Sequence, residues 1–497
     1  MKNSNIILSK NVKMDKNYVN ILDYTTNDMI AMLTDEVHFL ARADDFSYIR
    51  SNERISVPFN MFICKESNYM AFKNPDYENK WFFAWIDNVI YKSDSCTEIE
   101  YTIDVMSTWW EQWTAATCFV EREHISNDYI GASTTSEPLS VGDYVANNVY
   151  GLSVTPNKIC FLFSEVRKSD GTYVSPKEAY DDAGLSVPFI GNLPMTLWRL
   201  SADLTQSGVS TLMNYFSDYV KDGKSGDLVG IFTYNSNTDI NTGLTRGKQT
   251  SLDGYTPKYS KCLQYPFVKI TLSNNAGSSV DLRQEDFGDT IIFEYANTAN
   301  YKGQSICYPV GYKGVERNTD NGLVIDNFPT IPMTVDSFAT YLAQNSTNIA
   351  LAATSGAIGT IASVASGNPL AGVAGVGSLL NQINQISVAK TKPDTIVGLA
   401  NGNLINMLLD KFVFNIEINT CKSDVAKSID SFFDKYGYAV NQIKTPNLTG
   451  NTHNYVKISS DSVIGYGSVP AVYMDIINTA FRRGVTVWHN EGELGFY

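Results

Sequence analysis

Four histidines, His38, His124, His453 and His489, are the side chains of this sequence best suited to metal binding or proton transfer, and their spacing speaks against both. None belongs to an H-E-x-x-H or H-x₃₋₅-H pattern, so a metal centre would need ligands gathered only by folding. The cysteines at 64, 96, 118, 160, 262, 307 and 421 are scattered and never spaced C-x-x-C, which reads as buried free thiols and not as a disulfide framework or zinc site. Gly243-Leu244-Thr245-Arg246-Gly247-Lys248 imitates a phosphate loop but is one residue short before Gly-Lys, and Gln249 stands where a magnesium-binding Ser or Thr belongs. It reads as a surface turn. Gly372-Val373-Ala374-Gly375-Val376-Gly377 lacks the G-x-G-x-x-G order of a dinucleotide loop. Glu98, Glu100 and Asp104 alternate along one apparent strand, the habit of a solvated face and not of an acid/nucleophile pair. No catalytic residue, metal or cofactor is expected, and therefore no enzyme.

The elements that would hold such residues are mainly strands. The 497 residues have room for two to four domains, and their 29 Tyr and 24 Phe suit β-rich structure. Ile99, Tyr101, Ile103 and Val105 alternate with Glu98, Glu100, Thr102 and Asp104, the period of a sheet with one buried face. Phe412, Phe414, Ile416 and Ile418 repeat that pattern late in the chain, followed by a helix from Ser423 that stops at Gly437. A second helix is expected from about Val469 to Arg483, ended by Gly484, and a strand from Val485 to Trp488. Between lie a turn-rich stretch from Gly131 to Gly142, a helix from Asp203 to Lys221 and short β-runs such as Phe267-Val268-Lys269-Ile270. The expected class is mainly β with α+β parts.

Charge narrows the function. With 38 basic against 52 acidic residues and a net charge of −14, the surface is not built to grip nucleic acid, although it could act as a wall that does not adhere to DNA. Met1 to Met14 holds Lys2 but no apolar stretch of signal-peptide length, so folding in a cytoplasm is expected.

From Ser337 to Ala389 there is no Asp, Glu, Lys or Arg. Gly367-Asn368-Pro369 divides this run at a turn into two arms, roughly Thr347 to Ser366 and Leu370 to Ala389, each of which as α-helix would be about 30 Å long, the thickness of a bilayer's hydrocarbon core. The first arm carries Ile349, Leu351, Ile358, Ile361 and Val364, and the second Leu370, Val373, Val376, Leu379, Leu380, Ile383 and Ile386. These are the candidate membrane-active residues. The first arm gains only about 2 kcal/mol from its apolar residues, too little for a lone anchor. Ser355, Gly359, Ser363 and Gly367 recur every fourth residue, the spacing that lets helices approach closely in lipid. A Gly/Ala-rich buried or lumen-packed loop is the alternative the segment alone leaves open.

Two blocks of sequence carry a family likeness. Asn74-Pro75-Asp76-Tyr77-Glu78-Asn79-Lys80-Trp81, Thr102-Ile103-Asp104-Val105 with Thr108-Trp109, and Arg122-Glu123-His124 resemble the N-terminal region of the distal tail tube or tail knob proteins of phi29-like short-tailed phages. Ser431-Phe432-Phe433-Asp434-Lys435-Tyr436-Gly437-Tyr438, Pro446-Asn447, Asn454-Tyr455-Val456 and Gly484-Val485-Thr486-Val487-Trp488-His489 resemble that family's closing segment, directly preceded, as there, by the apolar run. The resemblance implies a virion protein: a homo-hexameric tube of β-barrel-like domains with a knob region, through which DNA passes. It further implies that the apolar hairpin plugs the lumen and, once released, forms a channel in the host cytoplasmic membrane, with a proximal tail or collar protein and a distal tail-tip protein as partners. On this reading residues 1–125 and 396–497 form the tube wall, 126–335 the knob and 336–395 the hairpin. The strands around Ile99 and Phe412 are expected in one tube-forming region, and Trp81, Trp109 and Trp488 are expected to be buried. A secreted pore-forming protein and a tail-associated cell-wall hydrolase are the competing classes.

Overall fold

The structure, a computed structural model of the chain, describes residues 5–44, 46–49, 53–73, 78–163, 198–203, 228–237, 239–275, 277–299, 303–326, 328, 330–332, 412–459, 463–465 and 469–494. The apolar segment with all its candidate residues and turn lies outside them, as does nearly all of the expected helix after Asp203; Asp203 itself ends a strand, Trp198–Asp203. Strands dominate what is described, and the chain forms two compact units, each discontinuous in sequence.

The first unit gathers residues 1–142, 254–264 and 423–497. Its larger sheet has seven antiparallel strands, in spatial order Phe39–Ala43, Asn5–Ser9, Tyr69–Lys73, Trp81–Ser93, Cys96–Ile103, Arg54–Val57 and Ser47–Ile49. Helix α1 spans Thr26–Leu33 and is closed by a capping box between Thr25 and Asp28. Helix α2, Met61–Glu66, packs on strands from both halves of the sheet, so the sheet curls around it. Inward-facing Ile6, Leu8, Ile55, Met70, Phe72, Ile99 and Tyr101, with Cys64 of α2, make the core. The alternation read at Ile99 and Tyr101 is present, with Glu98 and Glu100 half-buried on the other face. It stops at Ile103. Asp104 is not on the solvated face but buried, accepting the Ser107 N–H at 3.1 Å as the N-cap of helix α3, Val105–Trp109.

The second sheet of this unit interleaves the two chain ends: Asn20–Leu22, Val485–Trp488, His453–Ile458, Cys118–Glu123 and Tyr438–Lys444, the first pair parallel and the rest antiparallel. Helices α4, Ser423–Tyr436, and α5, Ala471–Arg483, end where glycine was expected to end them. Gly437 has φ +57° and returns its N–H to Phe433 O at 2.9 Å, and a side chain there would run into the Glu123 backbone. Trp109 and Trp488 are buried, whereas Trp81, at a strand start, is only half-buried.

The second unit comprises 143–253 and 265–422. One sheet orders Tyr144–Ser153, Val413–Cys421, Val268–Ser273 and Ser279–Leu282; a second Trp198–Asp203, Lys158–Phe163, Leu228–Tyr234 and Thr330–Pro332; a third Asn241–Gly247, Thr290–Ala299, Gly303–Tyr312 and Val315–Arg317. Phe414, Ile416 and Ile418 are buried as their alternation requires, but Ile416 and Ile418 lie opposite Leu272 and Ile270, and Phe414 opposite Leu152. The strand after Phe412 therefore does not join that around Ile99: the two lie in different sheets of different units. Alternation marks a half-buried strand without naming its partner. The expected surface turn at Gly243 to Lys248 is also corrected, since Asn241–Gly247 is a strand paired with Thr290–Ala299. A Cβ on Gly243 would lie 3.2 Å from Tyr295 Cδ1 and press into Leu152, so the glycine serves close packing and not phosphate binding.

Candidate functional site

Several of the residues that carried the family likeness, Arg122 to His124 and those near the end of the chain, meet at one junction of the first unit. Arg122, Glu123 and His124 leave the strand Cys118–Glu123 and turn toward the end of α4, where Ser431 to Tyr438 lies. His124 is buried; its Nδ1 accepts the Tyr455 N–H at 2.8 Å, so Nε2 carries the proton and donates to Phe433 O at 3.0 Å and Asp434 O at 3.1 Å. His453 Nε2 reaches the same Asp434 carbonyl at 2.8 Å, and its ring stacks on Trp488 with centroids 4.6 Å apart. Two histidines thus converge on the Asp434 carbonyl in the last turn of α4, and His124 also shares the Phe433 carbonyl with the Gly437 N–H. Burial, together with the His453 ring, holds the His124 imidazole down to about 4 from its ordinary 6.5, keeping it neutral.

The neighbouring charges are arranged in the same structural way. Arg122 donates to Glu137 Oε2 at 2.7 Å and to Gly437 O at 2.7 Å. Lys261 Nζ, on the 254–264 segment, donates to Glu137 Oε1 at 2.7 Å and Ala439 O at 3.2 Å, and burial lowers its pKa against the opposing pull of Glu137. The Ala439 N–H also donates to Glu137, so this buried carboxylate has a donor on either oxygen. Glu123 is ion-paired with Lys444 and accepts the Asn447 N–H at 2.8 Å, which accounts for the Pro446-Asn447 motif. Asp430 of α4 accepts the Lys258 and Tyr259 N–H groups at 2.9 and 3.0 Å and the Tyr255 hydroxyl at 2.8 Å, and Asp434, one turn on, the Tyr259 hydroxyl at 2.8 Å. The helix grips the 254–264 segment with two aspartates on one face.

The remaining candidates resolve into similar ties. His489 lies between Asp23 Oδ2 at 3.1 Å and Asn454 Oδ1 at 3.0 Å, and His38 between Asp35 Oδ1 at 2.9 Å and Glu491 Oε1 at 3.3 Å. Sequence spacing had left all four histidines isolated, whereas folding gives each a partner. Glu98 pairs with Arg54 and Lys92, and Glu100 with Arg54. Asp104 accepts the Tyr69 hydroxyl at 2.7 Å and the Ser107 hydroxyl at 2.8 Å, and burial raises its pKa. Among the described residues no group of three or more His, Cys, Asp or Glu is placed to hold a metal ion, and no helix is long and apolar enough to cross a membrane. What this junction does chemically is to fasten distant parts of one chain together.

Similarity to known proteins agrees with a structural part. The family profile of the Bacillus phage phi29 tail knob protein gp9, C-terminal domain, matches residues 231–496. The chain belongs to that family. The profile of the caudoviral major tail protein N-terminus matches residues 2–114. The tail knob protein gp9 of Bacillus phage phi29 is 22% identical, covering 92% of this chain and 91% of its own, and that of Bacillus phage B103 is 23% identical, covering 91% and 90%. The solved structure of the bacteriophage C1 tail knob protein, gp12, superimposes with a TM-score of 0.62 at 14% identity, covering 99% of this chain and 98% of that one, and so shares the fold. The protein is a structural component of a phage tail, located in the virion, with the mainly β, α+β fold of tail knobs. Its relatives are named for a structural part and not for an enzymatic activity.

Proposed function

We propose that six copies of this protein form the distal tube and knob of a short phage tail, that DNA passes through the tube, and that the uncharged segment plugs it until released to form a channel in the host membrane. One observation carries the role of that segment. Phe328, just before it, and Phe412, just after it, meet edge to face with ring centroids 4.9 Å apart. The chain before the segment and the chain after it are thus brought together at one place in the second unit. A stretch without Asp, Glu, Lys or Arg from Ser337 to Ala389 suits a lumen or a bilayer better than solvent. Six hairpins would supply twelve weakly apolar arms, individually too polar to insert and together able to line a wet pore. The net charge of −14 suits a conduit whose wall repels phosphate. The tube wall is drawn from residues 1–125 and, of the expected 396–497, the part from Ser423 on; the knob is drawn from 126–335 together with the strand Val413–Cys421 that pairs with it, and a proximal tail or collar protein and a tail-tip protein bind the ends of the tube.

Negative-stain images of the purified protein test the assembly: sixfold rings or short tubes are expected, and particles of any other symmetry, or monomers at high concentration, would reject the hexamer.

A further inference from the structure

Beside the His124–His453 junction, wholly within the first unit, a cleft of about 400 Å³ opens between the loop 124–128, the segment 258–259 and the loop 450–453. Its size lies at the lower end of the range typical of small-molecule sites, roughly 300–1,000 Å³. We propose that this cleft binds a neutral saccharide. Nothing in the tube and channel reading requires such a site, and the inference stands apart from it.

The lining has two parts. Inside are rings: Tyr259, near-parallel to His124 with centroids 6.0 Å apart, the buried Tyr438, and His453 backed by Trp488. Of these, Tyr259 is only half-buried and is the ring whose apolar face can take the C–H face of a pyranose, the buried rings forming the floor behind it. Around the opening are Ser126, Asn451 and Thr452, whose exposed side chains make no hydrogen bond to another described residue. Two hydroxyls and one amide therefore remain to donate and accept, the capacities that a ring of sugar hydroxyls matches.

The charges favour a neutral ligand over an anion. Lys258, the cation at the rim, is ion-paired with Asp434. Asp128 Oδ2 accepts the Ser260 N–H and the Tyr438 hydroxyl, both at 2.8 Å, which fixes a carboxylate at the opening where it can accept from a hydroxyl and repels phosphate. Burial holds the His124 imidazole neutral, so it adds no positive charge.

Saturation-transfer NMR on the full chain with N-acetylglucosamine, glucose and inorganic phosphate tests this. Saturable binding of at least one sugar in the millimolar range is expected, with no displacement by phosphate. The Ser126→Ala, Asn451→Ala, Thr452→Ala triple variant, altered only at exposed side chains, should keep the parental unfolding midpoint and weaken binding about tenfold. Absence of saturable transfer from both sugars, unchanged binding by the triple variant, or displacement of sugar by phosphate would each overturn the proposal.

Discussion

His124 and His453 stand edge to face, ring centroids 5.1 Å apart at 89°, and both end on the carbonyl of Asp434. Residues from the first quarter of the chain and from its last tenth are thereby closed over one helix end. Because Nδ1 of His124 accepts the Tyr455 N–H, protonating that ring removes an acceptor and places a charge in a buried site next to a second imidazole.

The first prediction follows from the sign of that shift. His124 is lowered from 6.5 to about 4 in the fold, so between these values the unfolded chain binds a proton that the folded chain does not. The His124 contribution is fully present above about pH 6.5 and is lost as pH falls through about 4, by roughly 3 kcal/mol in all. Urea midpoints at pH 7, 5.5 and 4.5 should fall accordingly, and His124→Asn should flatten that dependence while lowering stability at pH 7. A parent and variant with the same pH slope would show that His124 is not responsible.

The second prediction concerns the Arg122–Glu137–Lys261 cluster. Glu137→Ala leaves the buried Lys261 and the half-buried Arg122 without their carboxylate and a backbone donor unmatched, at a cost of about 3–5 kcal/mol. Lys261→Met keeps the Arg122–Glu137 pair and should cost less. Denaturant unfolding of both single variants and the double variant gives the coupling, and additive losses would mean that the three charges do not act together.

Which of these features were legible in the sequence follows from the range of the interactions. Period-2 burial at Ile99 and Tyr101, and at Phe414, Ile416 and Ile418, is local and was readable, as were the helix ends at Gly437 and Gly484. Alternation alone puts Asp104 on the solvated face, whereas Asp is itself a favoured N-cap residue and here ends the strand by starting α3. The partner of the Phe414 strand is not legible because alternation is the same whichever strand lies opposite. Glu137 with Lys261 and His124 with His453 left no trace at all, since no spacing relates residues joined only by folding.

A third prediction rests on Gly484. Its φ is +104°, and a Cβ there would fall inside the Tyr455 ring and hydroxyl. Gly484→Ala should destabilise the protein by about 2 kcal/mol or more, of which about 1–2 kcal/mol is backbone strain that no change at Tyr455 relieves. Adding Tyr455→Phe should recover part of the steric remainder. Thermal unfolding reads both, and a neutral Gly484→Ala would contradict the close approach.

The last prediction addresses the uncharged segment directly. Since Phe328 and Phe412 already touch, a short Gly/Ser linker in place of residues 333–411 should leave both units folded and assembly intact. Membrane activity should be lost in that variant. It should also be lost in Ile358→Asp/Ile361→Asp, because a charge at mid-arm costs about 2.5–3.5 kcal/mol per residue, more than the roughly 2 kcal/mol that the arm's apolar residues supply. Dye release from liposomes, measured beside size-exclusion profiles, separates the possibilities. Leakage by the deletion equal to the parent's would remove the segment from membrane activity. Failure of the deletion to assemble would make it part of the structural core instead, and the contact between Phe328 and Phe412 argues for the opposite result, an intact assembly that no longer opens a membrane.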